Sequence, residues 1–418
     1  MIADPGPFTP TTRAVEDWCL EVLMDGFVPP EEDGLADLTV VVPSYRRQDY
    51  LLRLIRYWAR RSASVVIVDG SDVSLPDRVT SALIKHPRIT YIHDNGSMST
   101  RLRLAGRMIT TPYAVMLGDD EFHLPSGLRV ALSTLAEDPE AIGCMGQVVS
   151  FLPAGGFRRL TFHRTYRSMG GFSVRSADPE ERFRLAFRDY TMATCYAVLR
   201  TPVWRRSWGS VEDYDSGHAA EVHQAMVVHL LGDFVSSDAI QWLRSVEHPI
   251  QPVAEGEKEG MVWFPEWWAG PEFAEQRSLF VATISNSTAE GLGLDADGCA
   301  EVVRTAAEVF VKCNHRLYED LDPVPEGRTW RGSAASGLRS LLGALPAGVT
   351  VGAKRLRQAS GRSTPGDYGP VATVLRRATA DGLVVPAEAI DELSEVEDLV
   401  ARFHDLRGTV GLRLGAQK

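Results

Sequence analysis

Apolar residues along this chain fall into short unbroken runs that alternate with amphipathic stretches. Leu38-Thr-Val-Val-Val42 is a continuous β-branched run stopped by Pro43, the pattern of a strand buried on both faces of a parallel sheet. Gln48 to Arg61 has helical spacing and leads into Ser64-Val-Val-Ile-Val68, which stops at Asp69-Gly70. Two such strands with an amphipathic helix between them make a βαβ unit. The alternation predicts a helix over 74–85, a strand over 89–92, a helix over 99–109, and a strand over 113–117 that runs into Gly118-Asp-Asp-Glu121. Another helix is expected over 126–136 and an apolar strand over 142–151. Upstream, Thr12 to Leu23 reads as a short helix with Glu16 and Asp17 in its first turn, followed by an acidic turn over 29–37.

Beyond residue 151 the pattern changes. Residues 152–184 are rich in glycine and arginine and read as loop, with Arg158 to Arg175 able either to hold an acidic acceptor or to pair with the chain's own acids. Helical spacing returns over 219–231 and stops at Gly232. The stretch 251–271 reads as a long loop whose Trp263, Trp267 and Trp268 could form a lid or core packing. Helices over 300–321 and 387–406 dominate the remainder, and no internal repeat is present. The expected organisation is an N-terminal helical segment (1–37), an α/β domain (38–270) and a C-terminal helical domain (271–418), whose apolar faces could also join two copies into a homo-oligomer.

Composition narrows the classes. The 418 residues carry 44 Lys+Arg against 55 Asp+Glu, a formal charge of −11, which argues against nucleic acid as the main partner. Arginine outnumbers lysine several-fold, which suits planar two-point contacts to phosphate and carboxylate. The five cysteines are scattered and never in a CxxC or CxxH spacing, so neither a disulfide scaffold nor a structural zinc module is indicated. No apolar run approaches the roughly 20 residues of a membrane span, and no leader-like segment opens the chain, so a cytoplasmic protein is expected.

Each early strand ends in polar residues, and ligands of open α/β sheets bind in the crevice beyond those ends. No GxGxxG or GxxxxGK[ST] loop is present, which disfavours a dinucleotide fold and a P-loop. The strongest chemical feature is Gly118-Asp-Asp-Glu-Phe122. Adjacent carboxylates at a strand end repel unless a cation or hydrogen bonds compensate, and hard oxygen ligands of this kind suit Mg²⁺ or Mn²⁺ shared with phosphates. An acidic cap on the helix that follows is the plainer alternative.

The order Val41-Val-Pro-Ser-Tyr-Arg46, Val66-Ile-Val-Asp69-Gly-Ser, Asn95-Gly96 with Arg101, and Tyr113-Ala-Val-Met-Leu-Gly-Asp-Asp120 resembles the nucleotide-sugar-binding half of family-2-type, GT-A-fold glycosyltransferases, over roughly residues 38–250. The resemblance implies an α/β fold with a GT-A-like, mostly parallel sheet flanked by helices. It assigns Pro43, Tyr45, Arg46, Asp69 and Arg101 to the donor nucleotide and Asp120 to a divalent metal, Mg²⁺ or Mn²⁺. Gly118 stands where the family's Asp-x-Asp motif has its first Asp, and the ribose contact passes to Asp119 on this reading. Arg103 is a further basic neighbour.

The family's catalytic base maps to Glu221, with Asp213 and Asp215 in reserve; its usual Glu-Asp pair is here a single carboxylate. In Gln241-Trp-Leu-Arg244-Ser-Val-Glu-His248, the resemblance brings Arg244 toward the diphosphate and makes His248 a metal ligand. The implied activity is metal-dependent, inverting transfer of a sugar from a nucleotide-diphosphate donor to a small-molecule or glycan acceptor. A sugar-phosphate nucleotidyltransferase would want a glycine-rich phosphate loop, which Pro43-Ser-Tyr-Arg46 lacks. A degenerate binding or scaffold protein on the same fold is the other alternative, raised by Gly118 and the single carboxylate.

Overall fold

The computed structural model describes residues 11–25, 33–154, 159–188, 190–247, 262–314 and 384–408, together with 370, 375, 376 and 379. Helix α1 (Arg13–Met24) precedes strand β1 (Leu38–Ser44), α2 (Gln48–Trp58), β2 (Ser64–Asp69), α3 (Asp77–Lys85), β3 (Ile89–His93), α4 (Met98–Met108) and β4 (Tyr113–Met116). Every element expected from the apolar pattern over this stretch is present, with ends moved by a few residues. Strands β1, β2, β3 and β4 pair in parallel through long uninterrupted registers. β1, β2 and β4 are almost entirely buried, as continuous apolar runs require when helices cover both faces, whereas β3, at the edge of the sheet, is mostly half-buried.

The second half of the sheet was less legible. A two-residue strand β5 (Phe122–His123) leads into α5 (Pro125–Glu137), then β6 (Ala141–Ala154) and β7 (Arg159–Thr165). The region expected as basic loop therefore contains a strand, because residues 159–165 pair antiparallel with the end of β6, and also β8 (Ser173–Val174) and α6 (Pro179–Arg188). Strand β9 (Val198–Arg200), α7 (Thr201–Ser207) and α8 (Gly217–Leu231) follow, and β10 (Asp233–Ser245) lies parallel to β6. The full order is β3-β2-β1-β4-β9-β6-β10-β5, with β7 beside β6 and β8 beside β10. The parallel ladders carry most of the paired residues. Helix α5 lies directly on β10 at Gly127, where a Cβ would sit 2.2 Å from the Ile240 carbonyl oxygen.

Past the sheet, the short helix α9 (Phe264–Ala269) starts where a loop was expected. Phe264 and Trp267 are fully buried and pack on Phe280 of α10 (Ala274–Leu292), so Trp267 belongs to core packing. Phe264 also meets Phe310 of α11 (Ala296–Asn314), a helix that packs on α6 through Phe187. The last helix among the described residues, α12 (Ala387–Leu406), buries Ala389, Leu393, Val396, Val400 and Phe403 against the layer formed by α1, α2 and α5. No helix among the described residues is long and apolar enough to cross a membrane.

Candidate functional site

The carboxyl ends of β1, β2 and β4 converge on one cluster. At the end of β1, Pro43 is half-buried and Ser44 is buried; Ser44 lies in register with Asp69 at the end of β2. Asp69 is fully buried and its oxygens accept three hydrogen bonds: from the Ser71 backbone N–H at 2.9 Å, from Gln48 Nε2 at 3.0 Å and from the Tyr91 hydroxyl at 2.9 Å. In this state Asp69 organises the β2 loop.

Arg101, from α4, is 5% exposed. Its Nη1 donates to the Ser44 carbonyl at 2.6 Å, and its guanidinium lies 5.9 Å from the Tyr45 ring centre. Burial lowers its affinity for the proton, and its Nε has no partner among the described residues.

The turn after β1 departs from ordinary backbone. Arg46 adopts φ 55°, one of two left-handed non-glycine residues among those described, a conformation that costs on the order of 1–3 kcal/mol and concentrates at functional sites. Its N–H donates to Ser71 Oγ at 2.8 Å and its side chain pairs with Asp72 at 2.9 Å, away from the carboxylates. The next residue, Arg47, is turned toward them. Its guanidinium is 3.2 Å from Asp119 Oδ1 and also pairs with Asp120 Oδ2. Asp119 accepts a further bond from Ser44 Oγ at 2.9 Å. Burial raises Asp119 to about 6 despite the opposing pull of Arg47. Desolvation works against the charge of Arg47, yet the two aspartates hold its pKa above the ordinary value. Arg46 and Arg47 are indistinguishable in the sequence pattern; the left-handed turn decides which one faces the acids.

A second group continues from Glu121. Its carboxyl folds over Gly118, whose Cβ, if present, would lie 2.9 Å from Glu121 Oε2, and Trp242 Nε1 of β10 donates to that oxygen at 3.1 Å. Trp242 is stacked between Tyr196 at 3.9 Å and Tyr166 at 6.0 Å between ring centres. Tyr166 is the other left-handed residue, at φ 49°, and the Arg244 guanidinium lies 5.9 Å from its ring centre. Glu221, in the second turn of α8, shares these neighbours: its charge acts on Tyr166 and Tyr196 as that of Glu121 does. Residue 221 is half-buried, but its Oε2 is enclosed and has no hydrogen-bond partner among the described residues.

Burial raises Glu221 to about 7, with Arg244 pulling the other way. Burial and the Asp120 charge raise Glu121 to about 8, again against Arg244. The reserve carboxylates Asp213 and Asp215 are exposed, and Asp215 pairs with Gln276. Arg103 pairs with Glu212 at 3.0 Å, apart from the cluster. His248 lies outside the described residues. Sequence reasoning missed Arg47, Ser44, Tyr166 and Tyr196, and it placed Glu121 in the acidic motif without a role.

Two adjacent hard carboxylates fit a divalent cation in donor type, although Arg47 now supplies their counter-charge. Among the described residues no three His, Cys, Asp or Glu side chains are grouped to hold an ion by themselves. A cation here would take its remaining ligands from a bound phosphate and water.

Residues 39–204 match the family described as Glycosyl transferase family 2. Solved structures with a similar course include S. aureus TarS 1-349 in complex with UDP-GlcNAc, at 11% identity and TM-score 0.41 over 69% of this chain and 77% of that one. Another is mannosyltransferase PcManGT from Pyrobaculum calidifontis in complex with GDP-Man and Mn²⁺, at 13% identity and TM-score 0.35 over 83% and 93%. No curated protein matches the chain.

Proposed function

We propose that this chain, a glycosyltransferase whose residues 39–204 carry the family-2 domain, transfers a sugar from a nucleotide-diphosphate donor with inversion, using Glu221 as the base. The observation that carries the reading is the pairing of two unlike acidic groups at one end of the sheet. Asp119 and Asp120 are held by the Arg47 guanidinium, whereas Glu221 has an enclosed Oε2 with no hydrogen-bond partner among the described residues and is raised to about 7. A base works best when its pKa lies near the working pH, and a carboxyl at about 7 meets that condition.

The donor nucleotide lies over the ends of β1 and β2, with Pro43, Tyr45, Asp69 and Arg101 around it and Arg46 at the rim. Arg101 and Arg47 face the diphosphate as planar, permanently charged donors. Asp120, with Asp119 beside it, holds Mg²⁺ or Mn²⁺, and His248 is kept as a candidate ligand. When bound, that ion stabilises negative charge on the departing diphosphate. Glu221 accepts the proton of the acceptor hydroxyl or amine, and Arg244 offsets the charge of the neighbouring acids. Tyr166, Trp242 and Tyr196 wall the acceptor side and keep water out. The helices beyond residue 270 form the supporting domain of this reading.

Thermal shift with UDP, GDP, CDP and ADP, each with and without Mn²⁺, tests the donor assignment. One nucleotide is expected to stabilise the protein, and more so with Mn²⁺; at 100 times Kd the gain is about 2.7 kcal/mol. No stabilisation by any of the four would overturn it.

A further inference from the structure

A chain of buried contacts runs from the last helix to the centre of the acidic loop. His404 of α12 has Nε2 2.6 Å from Glu247 Oε1. Glu247, two residues past β10, accepts both terminal nitrogens of Arg53, at 2.8 and 2.7 Å. The same Arg53 Nη2 donates to the backbone carbonyl of Asp120 at 2.9 Å. The Arg53 and Glu247 side chains are completely enclosed. Ser245 Oγ donates to Glu247 Oε2 at 3.1 Å, and the rings of Tyr50, Phe122 and Phe403 surround the guanidinium at 4.9, 5.1 and 4.7 Å from their centres.

Enclosing a guanidinium and a carboxylate is expensive, and apolar side chains of similar volume stabilise a fold at least as well. What an apolar replacement cannot supply is a rigid donor at a fixed place. A planar fork gripped at both tips by one carboxylate has a set orientation, and here that orientation presents Nη2 to Asp120. Ser44, Arg47 and Trp242 hold the loop's carboxylates by their tips, but its backbone has few partners: Leu117 N–H donates to Val41 at 2.9 Å on its strand side, and Glu121 N–H reaches Gly118 at 3.3 Å. We propose that Arg53 is a positioning residue for the Asp119 and Asp120 carboxylates, oriented by Glu247 and His404, so that the last helix is part of the working site although it lies far beyond residue 204. The functional consequence rests on the donor reading above; the mechanical claim does not.

Amide hydrogen exchange on the full chain without ligand separates the two. E247Q keeps the shape of the side chain, R53M removes the fork, R53K keeps only the charge, and H404F removes the outer contact. E247Q and R53M should speed exchange at 118–121 at least about tenfold, the scale on which supporting partners act on a site, while β1, β2 and β3 stay protected. H404F should give a smaller rise and R53K only partial rescue. The same variants should weaken Mn²⁺-dependent binding of UDP or GDP, whichever the wild type binds, by a similar factor. Unchanged exchange at 118–121, or an equal rise across the sheet, would overturn the proposal. A wild type that binds neither nucleotide would count against the donor reading, with the exchange result still deciding the role of Arg53.

Discussion

Gly118, a departure from the expected Asp-x-Asp pattern, has a second consequence that lies in packing. The sequence marks it as a missing carboxylate, with Asp119 as the heir. In the fold, the space beside Gly118 is filled by the Glu121 carboxyl, which Trp242 holds in place. Ala at 118 should therefore cost stability, roughly 1–3 kcal/mol for overpacking, by urea unfolding; an unchanged midpoint would mean Glu121 swings away freely. Glu221→Gln should leave nucleotide affinity nearly intact and lower turnover by about 10²–10⁴-fold, a split visible in KM against kcat. Near-normal turnover would remove Glu221 as the base. The resemblance named Asp119, Asp120 and Glu221 as candidates. Arg47 was not among them, since only the left-handed turn at Arg46 distinguishes neighbouring arginines.

Among elements, legibility followed how continuous each strand's apolar run is. β1 to β4 are apolar runs joined by amphipathic helices, and their boundaries came within a few residues. β9 and β10 were missed because distant partners define them: β10 reads Asp-Phe-Val-Ser-Ser-Asp, and only its place beside β6 makes it a strand; β7 pairs with its neighbour β6, but Arg159, His163 and Arg164 break its apolar pattern. Helix α12 was legible as a helix, but its partners were not. It is stitched to the α/β layer by Glu392 to Ser126, Glu395 to Arg61, Glu397 to the Leu160 N–H and Arg407 to Asp49. Glu392 accepts both the N–H and hydroxyl of Ser126, at 2.9 and 2.6 Å, and so serves the first turn of α5 from another helix. Glu392→Ala should cost about 1–2 kcal/mol, measured by chemical unfolding; no loss would show that water satisfies Ser126 equally well.

At the scale of the whole molecule, three buried acids make stability depend on pH. Burial raises Asp119 to about 6, Glu221 to about 7 and Glu121 to about 8. Between the ordinary carboxylate range and about 8 these acids hold protons that they have released in the unfolded chain, so their share of the stability falls as pH rises, whereas His123, His218, His223 and His229, which burial keeps from taking a proton, act the other way below about pH 7. Glu247 also runs the other way. Burial alone would raise it, but Arg53 and His404 bring it to about 2, so its contribution is lost only in strong acid. Above about pH 7, where those histidines are neutral in both states, ligand-free protein should lose roughly 1 kcal/mol by pH 9, seen as a falling melting temperature. A flat or rising profile would contradict these environments.

The strand order also bears on where this protein may be cut. β10 starts at residue 233, beyond the family-matched segment, yet it lies between β6 and β5 and is the partner of β5 and β8. A fragment ending at residue 204 would open a lengthwise gap in the sheet, strip the seat from beneath α5 and strand β5 without a neighbour. The family-matched segment is thus shorter than the sheet it belongs to, and a fragment that keeps the sheet whole runs at least through residue 245.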